Sequence, residues 1–175
     1  MPVKESELDK LFCKHGKTYG IKKHLLKAVG IVESSLNDRS YRYEPAFWRR
    51  YLADNPEWKN ENPAEVSASY GIMQLMFTTA HQLGFRGAGD DLFDPDVNIG
   101  LGAKLLNKLI TKVRKSKAIE QFPHLVEWEV ALALYNGGGT GNPSSDGKLR
   151  NQKYANKVMA KYYEIMKKEK DCEEV

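Results

Sequence analysis

Five apolar residues, Ile21, Leu25, Ala28, Val29 and Val32, recur at three- and four-residue steps and then run directly into an acid, Glu33. That spacing predicts a helix with one buried stripe over about 21–36. Because Glu33 follows the stripe, its carboxyl should sit beside the core. It also falls in the last turn, where the negative end of the helix dipole disfavours a further negative charge. Desolvation and the dipole both raise a carboxyl pKa, which a general acid needs near neutral pH. Taken alone, such a glutamate is more often a helix-boundary or capping residue, so its meaning depends on the rest of the chain.

The same helical period recurs elsewhere. Ser6–Tyr19 carries Leu8, Leu11, Phe12 and Tyr19 on one side, with Gly20 as the break. After a polar, aromatic-rich stretch over 37–65, in which Pro45 opens a short helix bearing Phe47, Trp48 and Tyr51, a further helix is expected to run through Ile72–Met76 to about Leu83, with Ser69 as its cap. Asp90–Asp94 reads as a turn, and Pro95 opens a helix whose stripe is Val97, Leu101, Leu105, Leu106 and Leu109, with Gly102 allowing close packing. Leu125–Tyr135 and about Arg150 to Lys168 complete the set, with glycines from Gly137 to Gly141 between them. No alternating strand pattern of any length is present. The expectation is one mainly α domain spanning 1–175.

Composition narrows the function classes. Lys and Arg number 27 against 23 Asp and Glu, a net charge of +4. That mild excess fits work near an anionic polymer or a cell wall and does not argue for nucleic acid. Four scattered histidines (His15, His24, His81, His124), with no HExxH or CxxC, give no expected metal site, and no cofactor is implied. The stretch Gly141–Lys148 has the wrong spacing for a phosphate loop, with Leu149 where Ser or Thr should stand. No run is long and apolar enough to span a bilayer. Met1–Lys10 is charged and offers no signal peptide, so either the chain is used inside the cell, or it is expected in the periplasm or cell envelope after removal of a leader or by another export route. Cys13 and Cys172 lie near opposite ends, which leaves both a disulfide and two free thiols open.

Four separated pieces stand in order: Val32-Glu33-Ser34-Ser35, Tyr70-Gly71-Ile72-Met73-Gln74-Leu75-Met76, Ala131-Leu132-Ala133-Leu134-Tyr135-Asn136-Gly137-Gly138 and Tyr154-Ala155-Asn156-Lys157-Val158, with Leu92-Phe93-Asp94-Pro95-Asp96-Val97-Asn98-Ile99 between the second and third. Each is weak alone, but the ordered set closely resembles the soluble lytic transglycosylase (SLT) family, over about 21–162. The resemblance implies a lysozyme-like helical domain with a substrate cleft, acting on peptidoglycan glycan strands. It implies Glu33 as the catalytic acid and base, and Gln74, with Met73 beside it, at the sugar. Tyr135 and Asn136 would form the opposite wall, with Gly137–Gly139 leaving room for a glycan. Tyr154 would hydrogen-bond the catalytic carboxyl. The serine that often precedes the Gly-Leu-Met-Gln segment is Ser69 or Ser67.

The residue chemistry agrees with that family. Glycan cleavage needs a protonated carboxyl at the glycosidic oxygen and a second device for the oxocarbenium-like carbon. In a lytic transglycosylase the C6 hydroxyl of N-acetylmuramic acid is that device, so a second carboxylate is unnecessary. The departure from the family pattern is the long 37–65 segment. Its Arg42, Glu44, Phe47, Trp48, Arg49 and Tyr51 read either as a cleft edge or as a small helix completing the core. Glu44 or Asp38 as a second carboxylate would instead permit direct hydrolysis, as in a goose-type-lysozyme-like muramidase. A non-catalytic, glycan-binding module on the same scaffold is the third reading. A monomer is expected. Read alone, Met73, Met76 and Leu75 are core material, Tyr135 and Tyr154 core tyrosines, and Asp94, Pro95 and Asn98 structural.

Overall fold

The computed structural model describes residues 3–116, 126–137 and 149–172. It is mainly α-helical with a small antiparallel sheet, the lysozyme-like arrangement expected from the sequence. The elements are α1 (Glu5–Tyr19), α2 (Lys23–Ser34), β1 (Tyr41–Tyr43), α3 (Pro45–Phe47), α4 (Pro63–Val66), β2 (Ala68–Tyr70), β3 (Leu75–Met76), α5 (Phe77–Gln82), α6 (Pro95–Lys115), α7 (Glu127–Asn136) and α8 (Gln152–Lys168). A π-helical turn, Trp48–Leu52, continues α3, and a 3-10 turn, Gly89–Phe93, precedes α6. Among the described residues no helix is long and apolar enough to cross a membrane.

Helix α2 is the structural centre, lying against α1, α8 and α6. Its stripe joins the larger core, in which Phe12, Leu26, Val29, Ile72, Ile99, Leu106, Leu132 and Val158 are fully buried. A second core of Leu52, Trp58, Val66, Tyr70, Phe77 and Leu92 lies under the sheet. The aromatics of 37–65 divide between the two expected roles. Phe47 and Trp48 pack on this second core, whereas Tyr51, Tyr41 and Tyr43 are exposed.

Two sequence expectations are corrected here. The stretch 67–83 is not one helix: β2 and β3 form a hairpin across residues 71–74, and the helix starts only at Phe77. The reason is local. Gly71 (φ +68°) and Gln74 (φ +45°) adopt left-handed backbone conformations that end any right-handed helix. Buried Asn98 then takes the backbone groups that a helix would use: its Oδ1 accepts from the Met73 N–H (2.7 Å), and its Nδ2 donates to the carbonyls of Tyr70 and Leu92 (both 2.9 Å). A Cβ on Gly71 would lie 2.6 Å from Asn98 Nδ2, so only glycine fits that contact. Ser69 is therefore a strand residue and not a helix cap. The sheet itself, of order β1-β2-β3, was invisible to pattern reading because strands of two or three residues carry no period.

Other expectations hold. Asp94 caps α6, accepting from the backbone of Asp96 (2.8 Å) and Val97 (3.3 Å), and Asn98 and Pro95 are structural. Gly102 does permit close packing, although its neighbour is the Met73 side chain of the hairpin turn and not another helix. Cys13 and Cys172 form a disulfide, with a Cα–Cα distance of 5.8 Å, which decides between the two open readings. Beside it, Lys27 of α2 is buried and ion-paired to Glu5 (2.8 Å), Asp9 (2.9 Å) and Glu169 (2.7 Å). The two ends of the chain are thus fastened to the helix that carries Glu33.

Candidate active site

Glu33 occupies the last turn of α2, as its place at the end of the apolar stripe requires. Two consecutive left-handed residues, Ser35 (φ +55°) and Leu36 (φ +63°), then turn the chain sharply away. The helix end is tied to the β2–β3 turn by Ser34, whose Oγ lies 2.9 Å from the Ile72 carbonyl and 3.2 Å from that of Gly30. Gly30 makes this approach possible, since a Cβ there would come within 2.8 Å of Ile72 Cγ2. The turn is consequently wedged between α2 on one side and Gly102 of α6 on the other.

The half-buried Glu33 carboxyl accepts a 2.6 Å hydrogen bond from the Tyr154 hydroxyl of α8. Burial raises its pKa above the ordinary carboxyl value. The Tyr154 hydrogen bond, Arg42 and Lys157 pull in the opposite direction without overcoming the burial. Tyr154 is itself held protonated, chiefly by burial and then by the nearby Glu33 charge. Tyr135 of α7 is likewise pushed up by burial and by Glu33, and its hydroxyl donates to the Met73 carbonyl (2.7 Å). Helices α2, α7 and α8 and the β2–β3 turn thus converge on one carboxyl.

The remaining site residues read from the sequence are placed as follows. Gln74, at the corner of the turn, donates through Nε2 to the carbonyls of Gly71 (3.0 Å) and Ser40 (3.2 Å). Asn136 is exposed at the carboxyl end of α7. Met73 is 0% exposed and packs on Gly102, so its side chain belongs to the core and only its carbonyl serves the site, through Tyr135. Ser69 is buried, with its hydroxyl 3.2 Å from the Met76 sulfur. Ser67 is also buried and donates to the Glu44 carbonyl (2.6 Å). Gly137 is described, whereas Gly138 and Gly139, and Leu125 at the expected start of α7, lie outside the described residues.

Neither alternative carboxylate is unpartnered. Glu44 is ion-paired to Arg42 at 2.6 Å, and Asp38 lies 3.6 Å from the Arg39 guanidinium. In the sheet, Arg42 pairs with Ser69, and Ser69 with Met76, so these three share one face. Arg42 is near enough to the Glu33 carboxyl to lower its pKa. Within the Tyr154-Ala155-Asn156-Lys157-Val158 piece, no role is expected for Lys157 from the sequence. Its position three residues after Tyr154 on one helix was the available signal that it shares the Tyr154 face.

A family model described as Transglycosylase SLT domain matches residues 10–166. No curated protein matches the chain.

Proposed function

Since the chain belongs to the SLT transglycosylase family, whose domains act on peptidoglycan, we propose that it cleaves the β-1,4 bond between N-acetylmuramic acid and N-acetylglucosamine by lytic transglycosylation. The observation that carries this reading is the Glu33 carboxyl, with its pKa raised by burial and its orientation fixed by Tyr154, while Glu44 is engaged by Arg42. A raised pKa favours the protonated form of Glu33 that can donate to the glycosidic oxygen. The C1–O4 bond then breaks, and the N-acetylglucosamine hydroxyl leaves with that proton. Glu33, now a carboxylate held by the Tyr154 hydroxyl, accepts the proton of the muramic C6 hydroxyl as its oxygen closes on C1. The product is a 1,6-anhydro sugar, and Glu33 is restored in its protonated form. No atom is taken from water.

Gln74 and Asn136 are proposed to hold the N-acetyl groups and Tyr135 the wall behind the sugar. In this reading Met73 and Ser69 act through the packing of the β2–β3 hairpin. The disulfide supports action in an oxidising compartment, namely the periplasm or cell envelope. A monomer is proposed as the working state. The test is mass spectrometry of muropeptides released from purified peptidoglycan. Anhydro products one water lighter than hydrolytic ones, absent with Glu33→Gln, are expected. Reducing products that require Glu44 as much as Glu33 would make the chain a muramidase, and no release by folded protein would make it a binding module.

A further inference from the structure

The sheet has a second face. Where Arg42, Ser69 and Met76 face one way, Tyr41 and its partner Tyr70 face the other. Against Tyr41 and Tyr70 lies a cavity of about 380 Å³, walled also by Phe93 and bounded by Glu65, Asp90 and Asn62. The rings meet edge to face, with centroids 5.4 Å apart for Tyr41 and Tyr70 and 5.3 Å apart for Tyr70 and Phe93.

Hydrogen-bond accounting shows what this cavity offers. Tyr41 already donates to the Ala64 carbonyl (2.6 Å) and Tyr70 to the Glu65 carbonyl (2.9 Å). The Gly89 N–H is engaged by Glu65 Oε1 (2.8 Å), the Ala88 N–H by Asp91 (2.9 Å), and the Ala64 N–H by Asn62 Oδ1 (3.1 Å). These donors are therefore taken up within the wall, and beside them stand phenolic oxygens, carboxylates, aromatic faces and the Asn62 amide. Among the described residues no Lys or Arg lines it. Tyr70 is kept protonated by burial first, then by Tyr41, Glu65 and Asp90, as expected beside electronegative groups. The wall already attracts a cation: the Arg39 guanidinium sits 5.6 Å from the Phe93 ring centroid. A cavity rich in acceptors and π faces suits a ligand that is chiefly a donor.

We infer that this cavity receives a primary alkylammonium group, and that its natural ligand is the free side-chain amine of a diamino acid in the peptide stem of the strand held at Glu33. The identification of the ligand rests on the proposed function. The charges are sorted in a way that fits such a stem, which bears both carboxylates and an amine. Arg42 and Lys157, on the Glu33 side, repel an ammonium and favour carboxylates, while Glu65 and Asp90, behind the sheet, do the reverse. The two sides are separated by β1, an edge strand, and Tyr41 at the cavity is 46% exposed. A stem of three or four residues extends roughly 10–14 Å, longer than the width of one strand, about 5 Å.

The test is an NMR titration of full-length Glu33→Gln protein with a stem tetrapeptide whose diamino acid is free or N-acetylated. The free-amine peptide should shift the Tyr41, Gly89 and Asp90 amides, and acetylation should weaken binding about tenfold or more. Asp90→Asn, at an exposed position, and Tyr41→Leu should each reproduce that weakening in folded protein. On the active chain, Asp90→Asn should lower the ratio of rates on peptide-bearing over peptide-stripped glycan. Equal binding of both peptides would overturn the inference. Equally tight binding of an unrelated lysine peptide would also overturn it, assigning the cavity to a protein partner. The titration involves no turnover, so it decides the cavity even if anhydro products are never found.

Discussion

One helix, α2, carries a buried cation and a half-buried acid with opposite treatment. Lys27, near its start, is met by three carboxylates, each within 2.9 Å of its ammonium. Burial, the largest influence, pulls its pKa down, but the three partners together hold it above the ordinary lysine value. Glu33, near the end, has one tyrosine hydroxyl at 2.6 Å and cations that act only from a distance, so burial prevails. A charge fully matched by its neighbours fastens the fold. A charge matched incompletely is ready to change protonation state, and that is what acid–base chemistry uses. The comparison can be broken at either end.

The largest effect is expected from Glu33→Gln, which keeps the shape and the Tyr154 contact but removes the proton. Turnover should fall by roughly 10²–10⁴-fold, the usual contribution of a positioned acid and base. The same variant should be more stable than the parent at neutral pH. Because the folded carboxyl has a raised pKa, ionising it opposes folding, and the penalty develops as pH rises from the unfolded pKa through the folded one. Thermal melts at neutral and acidic pH check this: the advantage should vanish once both states are protonated. An equal advantage at both pH values would show that the carboxyl carries no burial penalty.

At the matched end, breaking the Cys13–Cys172 link should destabilise without touching the chemistry. The 159-residue separation places its loop-closure contribution near the upper end of the usual range, about 5 kcal/mol. Cys172→Ser and chemical reduction should lower the melting temperature alike, while the pH profile of the surviving activity stays fixed. Lys27→Met should cost about 3 kcal/mol in denaturant melts, at the low end for a broken buried pair, because Glu5 stays largely exposed and can rehydrate. Since the Lys27 pKa is raised on folding, this contribution is complete below the ordinary lysine pKa and is lost only as pH climbs through the folded value. The difference between variant and parent should therefore be flat across neutral pH.

Legibility in the sequence followed the range of the interactions. Helices α2, α6 and α8 were readable because each repeats its stripe over several turns, and Glu33 because it ends one. The β2–β3 hairpin was not, since its apolar residues Ile72, Met73 and Leu75 look like helix and the deciding group, Asn98, is 25 residues from Met73. Its burial also drew Met73 out of the expected sugar wall. Lys27 was hidden for a similar reason: its partners Glu5, Asp9 and Glu169 lie at the two ends of the chain. The Tyr154–Glu33 contact spans 121 residues, and only the family resemblance, not any local pattern, could suggest it.

That contact gives the smallest and most discriminating prediction. Tyr154→Phe removes one hydrogen bond to a carboxyl and should slow turnover about tenfold, the kinetic equivalent of a single charge-assisted bond. Its pH dependence says more than its size. The hydroxyl lowers the Glu33 pKa, so removing it should raise that pKa further and carry the alkaline limb of kcat/KM to higher pH. Lys157→Gln should move the limb in the same direction by less, because that cation lies lower in the order of influences and is exposed. A purely structural tyrosine would slow the reaction and leave the limb where it was. A limb that moved to lower pH would mean that Tyr154 favours protonated Glu33, and the contrast with Lys27 would then lie in burial alone.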